Sequence, residues 1–366
     1  MKTTRLILVG GFLGAGKTTL LWEAARRLAG RGLRTGLITN DQAPELVDTA
    51  FLSQGGVKVA EVAGSCFCCN FQGLIDAMSK VRAEAEADVL IAEPVGSCTD
   101  LSATIVQPLK EGFRRELVTA PLSVLADPSR LSDLLDGGTA GLHPSAAYIL
   151  RKQLEEADIV LISKSDQLSP EALRALQQRT RQAFPEAAVL GVSAKTGAGV
   201  DVWLDAVTTR SDAGQRVVAV DYDVYAEGEA VLGWLNASIV LRGEAVDWNA
   251  FAAGLLRGLS GRFDRGNSAV GHVKLMVSAA DGFLIGNLTG TADTLSIRNT
   301  LTPGSEASLT LNARVQMTPE ALDACVREVL AATCAETVQA DIVAWRCLSP
   351  GRPQPTHRYD HVVAAG

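Results

Sequence analysis

No stretch of this chain is apolar for long enough to span a bilayer, and its start, Met1-Lys2-Thr3-Thr4-Arg5, meets the first strand pattern with no cleavable apolar leader. A cytoplasmic protein without a membrane partner is expected. Lysine and arginine nowhere cluster, and the net charge is −7 over 366 residues. The basic face that a phosphate backbone requires is therefore missing, and no nucleic-acid partner is expected. Only four histidines occur, none in a histidine-rich loop. No internal repeat and no disordered composition is found: 47% of residues are hydrophobic and 20% charged, enough for two domains with real cores. Disulfides cannot be assumed for seven cysteines in such a chain. Cys66, Cys68 and Cys69 crowd together, so metal or redox chemistry is the first question.

What is present begins at residue 11. Gly11-Phe-Leu-Gly14-Ala15-Gly16-Lys17-Thr18 is a complete Gly-x-x-x-x-Gly-Lys-Thr loop between the apolar run Leu6–Val9 and a helical pattern that opens with Thr18 and Thr19. Its glycines let amides turn inward around a polyphosphate, Lys17 reaches the outer phosphates, and Thr18 is placed for magnesium at the positive end of the helix. Apolar strand patterns near 5–10, 34–39, 57–62, 88–92, 121–126, 158–163 and 188–193 alternate with helical ones such as 18–28, 71–83 and 170–184. That rhythm predicts an α/β fold, a parallel sheet with helices on both faces.

Ser163-Lys164-Ser165-Asp166 and Ser193-Ala194-Lys195 follow the last two of these strands. Together they read as a guanine pocket. The Asp166 carboxylate can accept from both the ring N–H and the exocyclic amine of guanine, Lys164 packs its stem along the base, and the Ala194 amide meets the guanine carbonyl. Ser163 replaces the more usual asparagine, which loosens selectivity. Glu93-Pro94-Val95-Gly96 ends another strand: Gly96 can offer its amide to a terminal phosphate, while Glu93 and Asp41 are placed for magnesium. Asp41 could instead orient the attacking water or cap a helix beginning at Gln42. Lys17, Asp41 and Glu93 are the expected catalytic set.

Cys66-Phe67-Cys68-Cys69 lies on a loop ahead of a helix start, where three thiolates can converge on one soft ion. Zinc is the first expectation; copper(I), nickel and cobalt suit the same ligands. A tetrahedral site needs a fourth donor, and Cys98, two residues past Gly96, is the candidate, with water, a histidine or a client side chain as alternatives.

The ordered set of phosphate loop, Asn40-Asp41, Cys-x-Cys-Cys, Glu-x-x-Gly and x-Lys-x-Asp resembles the CobW-type GTPases, relatives of the HypB, UreG and MeaB maturation factors, over residues 1 to about 208. The resemblance implies a slow GTPase, using GTP/GDP and Mg2+, that acts as a metallochaperone for zinc, cobalt or nickel and has a client metalloprotein as partner. It also implies that Cys66, Cys68 and Cys69 are metal thiolates, that Lys17 and Thr18 serve phosphate and magnesium, and that Asp166 reads the base. Phe67 inside the cysteine motif and Ser163 depart from the family pattern. A nucleotide-gated assembly or reactivation factor for a cobalamin- or metal-dependent enzyme, with structural cysteines, is the rival. A small-molecule kinase is a weaker third.

The expected organisation is a P-loop domain over 1–208, a linker over 209–217, an α+β, ferredoxin-like domain over 218–348, and an extended proline-rich tail over 349–366. Client recognition or an oligomer contact such as a homodimer is expected of the second domain. His272, His357 and His361 are its only metal-capable groups, while Cys325, Cys334 and Cys347 lack ligand spacing and are read as core residues.

Overall fold

The computed structural model of the protein describes residues 3–41, 47–54, 58–290 and 295–364. Its first unit is built on β1 (Thr4–Gly11), β2 (Thr35–Asp41), β3 (Lys58–Ala63), β4 (Val89–Glu93), β5 (Leu117–Thr119), β6 (Ser123–Ala126), β7 (Ile159–Ile162) and β8 (Ala188–Gly191). They pair in parallel in the order β3-β2-β4-β1-β6-β7-β8, with β5 beside β1. The connecting helices are α1 (Lys17–Gly30), α2 (Val47–Gln54), α3 (Phe71–Ala85), α4 (Gln107–Gly112), α5 (Pro128–Leu135), α6 (Pro144–Glu156), α7 (Pro170–Ala183) and α8 (Val200–Thr209). Leu6, Ile7, Val9, Leu90, Ile91 and Val160 are wholly buried, as strands covered by helices on both faces must be. Because the strands run the same way, the loops leaving β1, β2, β3, β4, β6, β7 and β8 all emerge at one edge of the sheet, where open α/β sheets bind their ligands.

The second unit holds β9 (Gly233–Val246), β10 (Val270–Ala279), β11 (Gly282–Leu288), β12 (Ser296–Arg298), β13 (Gly304–Val315) and β14 (Val338–Leu348), antiparallel in the order β12-β11-β10-β13-β9-β14. With α10 (Trp248–Arg265) and α11 (Pro319–Cys334), the path β14-β9-β13-β10 has the order of a ferredoxin-like sandwich, extended at one edge by β11 and β12. Its core packs Trp248, Leu255, Leu256 and Phe263 with Leu309 and Leu311. The start of α2 belongs to this unit too: the Val47 amide donates to Asn312 Oδ1 at 2.8 Å, and Lys274 pairs with Asp48 at 2.6 Å.

The division between units falls after Gly228, beyond the linker expected at 209–217, and residues 352–364 group with the first unit rather than standing apart. The reason is local bonding. Asp158 accepts the amides of Gly214 at 2.6 Å and Gln215 at 2.9 Å, Gln107 donates to Gly214 O at 2.8 Å, and α9 (Tyr222–Ala230) follows with Tyr225 buried against the Thr99 amide. No helix among the described residues is long and apolar enough to cross a membrane.

Candidate functional site

The phosphate loop joins β1 to α1 at that sheet edge. Gly16 is left-handed at φ 92° and opens α1 without a side-chain cap, so the helix start faces the loop. Lys17 is buried and folds back, its Nζ donating to Gly11 O at 2.7 Å and lying 3.8 Å from Glu93 Oε1. The Thr18 hydroxyl donates to the same Glu93 oxygen at 3.3 Å. Thr39 lies opposite Glu93 in register, so Asp41, two residues on and also buried, projects from the same face of the neighbouring strand. A Cβ on Gly96 would stand 3.1 Å from Lys17 Nζ and 2.7 Å from Leu13, which is why only glycine brings that backbone beside the lysine. Thus Gly11, Gly14, Ala15, Gly16, Lys17, Thr18, Thr19, Glu93 and Gly96 gather around one short stretch of sheet edge. The alternative of Asp41 as cap to a helix from Gln42 lies outside the described residues.

A few strands along, Ser193 Oγ donates to Asp166 Oδ1 at 2.6 Å and accepts the Thr196 amide at 3.1 Å, which fixes the carboxylate expected to read a base. Lys164 is left-handed at φ 50° and its ammonium pairs with Asp127 Oδ2 at 2.7 Å. Burial works against the Asp127 charge, but the Lys164 ammonium holds that carboxyl below its ordinary range. Ser163 is buried, its hydroxyl spent on Ala126 O at 3.1 Å, while Ala194 is half-buried and Lys195 exposed beside it.

The cysteine loop leaves β3 and closes as a turn, with the amides of Cys69 and Asn70 both donating to Cys66 O at 3.0 and 2.9 Å; Asn70 then caps α3 by accepting from Gly73. Cys66 Sγ lies 3.0 Å from Cys68 Sγ and 3.0 Å from Cys69 Sγ, and Cys68 and Cys69 are 3.8 Å apart. The sulfurs of Cys66, Cys68 and Cys69 all lie within 4.8 Å of one another, and the Cys98 thiol interacts with those of Cys66 and Cys68. Contacts from the thiols of Cys68, Cys69 and Cys98 hold Cys66 well below the usual thiol range. The same contacts push Cys68 well up, and the hydrogen bond with Cys66, helped by burial, drives Cys69 up to about 11. A bound ion would have to displace those remaining protons.

Residues 5–191 match the family described as CobW/HypB/UreG, nucleotide-binding domain. The chain belongs to this family. Among its relatives, the zinc chaperone YeiR of Escherichia coli is 29% identical over 187 residues, 49% of this chain and 52% of YeiR. The zinc chaperone CobW of Pseudomonas aeruginosa is 28% identical over 224 residues, 52% of this chain and 56% of that protein. The chain thus spans about half the length of the curated relatives it matches. The solved Zn(II)-bound YjiA GTPase from Escherichia coli is 18% identical, with 90% of this chain and 99% of that chain covered, at a TM-score of 0.38, too loose a likeness to carry weight.

Several groups in this CobW/HypB/UreG-family site escaped the sequence reading. Asn40, read in the sequence only as part of the Asn-Asp motif, has a role that was missed: its Nδ2 donates to Val62 O and Ser65 O, both at 2.8 Å, and its Oδ1 accepts the Phe67 amide at 2.8 Å, so it clamps the cysteine loop to the end of β2. Gln153 on α6 donates to Gly96 O at 3.0 Å and Cys98 O at 2.7 Å, bracing the turn between them. Arg130 on α5 donates to Leu13 O of the phosphate loop at 3.0 Å. Asp127-Pro128-Ser129 carries a helix-start signal, a cap followed by proline, that the sequence reading did not take up; Gln153 carried no local signal. His272 is buried in β10 and His361 pairs with Asp360, both remote from these sulfurs in the chain, and Cys334 lies in the second unit's core with Cys325 and Cys347 packed against it.

Proposed function

We propose that this chain is a slow GTPase that carries one thiophilic ion, zinc before cobalt or nickel, and passes it to a client metalloprotein under nucleotide control. The observation that carries this reading is the double attachment of the thiol cluster. Through Asn40 it is bonded to the end of β2 that presents Asp41, and through Cys98 it touches the turn that presents Gly96 beside Lys17. Lys17, Thr18 and Gly96 would hold the outer phosphates, and Lys164, Asp166, Ser193, Ala194 and Lys195 the guanine base. Thr18, Asp41 and Glu93 would hold magnesium, which supplies charge neutralisation at the phosphates.

The donor set suits zinc. Four thiolates about 2.3 Å from a tetrahedral ion stand about 3.8 Å from one another. Cys68 and Cys69 already have that 3.8 Å spacing, and the two pairs at 3.0 Å need only a modest spread. The names of the relatives favour zinc as well. An ion that prefers the GTP state must tighten GTP binding in turn, and loss of the terminal phosphate then slackens the cluster and releases the ion. Replacing Cys66, Cys68 and Cys69 together by alanine is expected to abolish the response of GTP hydrolysis to zinc while GDP still binds. An unchanged zinc response would make the cysteines structural and leave the assembly-factor reading standing.

A further inference from the structure

The segment after β14 has neither helix nor strand, yet it is fastened to the first unit along its length. Arg352 pairs with Asp223. The Gln354 amide donates to Cys69 Sγ at 3.2 Å; the Thr356 amide donates to Cys68 O at 2.8 Å and its hydroxyl to Cys69 O at 3.2 Å. His357 stands edge-on to Phe71, ring centroids 4.9 Å apart. Arg358 Nε donates to Asp100 Oδ2 at 2.7 Å, the Tyr359 amide to Ala103 O at 3.0 Å, and the Val363 amide to Gln107 Oε1 at 2.8 Å.

We propose that residues 352–364 form a strap that closes the thiol cluster and has to lift for an ion to enter or leave, so that it sets the rate of metal exchange. Three features support this. First, Pro353 and Pro355 have no N–H, so Gln354 and Thr356 hold the only amides between 353 and 356, and both are spent on cysteine residues of the cluster. Second, the proline spacing keeps the segment extended when it is free, which lowers the entropy lost on laying it down. Third, the anchor is one-sided. The Asp100 side chain is 1% exposed and Arg358 34% exposed, so on lifting the guanidinium regains water while a buried carboxylate loses its hydrogen-bonded counter-charge and keeps only the Coulombic pull of Lys152. Tyr222 Oη, 2.8 Å from the same Asp100 oxygen, is a neutral partner and does not replace it. The strap is therefore held down by a latch two residues beyond Cys98, without any covalent tie.

The consequence for exchange rests on the cluster being the ion site, but the covering is tested with no ion present. In the 366-residue chain, Arg358→Ala opens the latch, and Gln354→Pro leaves the latch and removes the backbone amide given to Cys69. Gln354 is exposed, so this second variant keeps the test available if the first fails to fold. The metal-free proteins are labelled with a small aromatic disulfide reagent, with Cys325 and Cys347 in the second unit as internal references. Labelling of Cys69 is expected to quicken about tenfold in Arg358→Ala, the factor that follows from losing one charge-assisted hydrogen bond. Zinc release from loaded protein to a competing chelator is expected to quicken similarly. Wild-type labelling rates at the cluster in both variants would overturn the strap. Faster labelling with unchanged zinc release would overturn its gating of exchange, and faster labelling in a protein that binds no zinc would keep the cover and refute the ion reading instead.

Discussion

Asn40 makes three hydrogen bonds that no other side chain could make at once: two donated to backbone carbonyls of the cysteine loop and its strand, one accepted from Phe67. Asn40→Asp keeps the acceptor, loses both donors and buries a charge beside two carbonyls. A loss of stability of about 1–3 kcal/mol is expected, seen as a lower melting temperature, together with a weaker nucleotide effect on zinc affinity. At this scale the sequence was legible where chemistry is local. Lys17, Thr18, Asp166 and Cys66–Cys69 sit in motifs whose spacing is their mechanism, and the structure gathers them at one sheet edge. The bonds of Asn40, Gln153 and Asp127 escaped because their partners lie 22 to 57 residues away and only folding makes them neighbours.

The stretch between β4 and β5 is the element that decides how rigidly Cys98 is presented. It runs through a π-helical turn, Ser102–Val106, into α4, and the carboxyl of Glu156 at the end of α6 fastens its start, accepting the Thr99 hydroxyl at 3.0 Å and the Ser102 amide at 2.8 Å. Burial pushes Glu156 up from its ordinary value of 4.5 to about 8, and the nearby Asp100 charge adds to the effect. Between those values the folded chain holds a proton that the unfolded chain has released. The associated stability is complete below 4.5 and is lost as pH rises toward 8. Glu156→Gln cannot titrate, so its melting temperature should fall less than the native protein's between about pH 5 and pH 8, by an amount reflecting a few kcal/mol. Only this slope is at issue, since the amide also confronts Ser102 N–H with a donor. Sequence periodicity found the seven longer strand patterns of the sheet but not the three-residue β5, the π-helical turn or α5, which are too short to show a period and are set by packing and capping. The segment after β14 was legible as extended from its prolines, but its bonds to Cys68 and Cys69 were not, since nothing in its composition names a partner.

At the scale of the whole molecule, the sheet edge joins the nucleotide-binding loops to the thiol cluster through Asn40 on one side and Cys98 on the other. The proposed coupling of nucleotide and metal is a linkage, so it must appear in both directions and by the same factor. The decisive measurement is an anaerobic titration of the full chain with zinc, and in parallel with cobalt and nickel, in the presence of GDP or of a non-hydrolysable GTP analogue. The account predicts thiolate-bound metal whose affinity is at least about fivefold higher with the GTP analogue, matched by an equal tightening of the analogue when metal is present. Equal affinities in the two nucleotide states for every metal would contradict it.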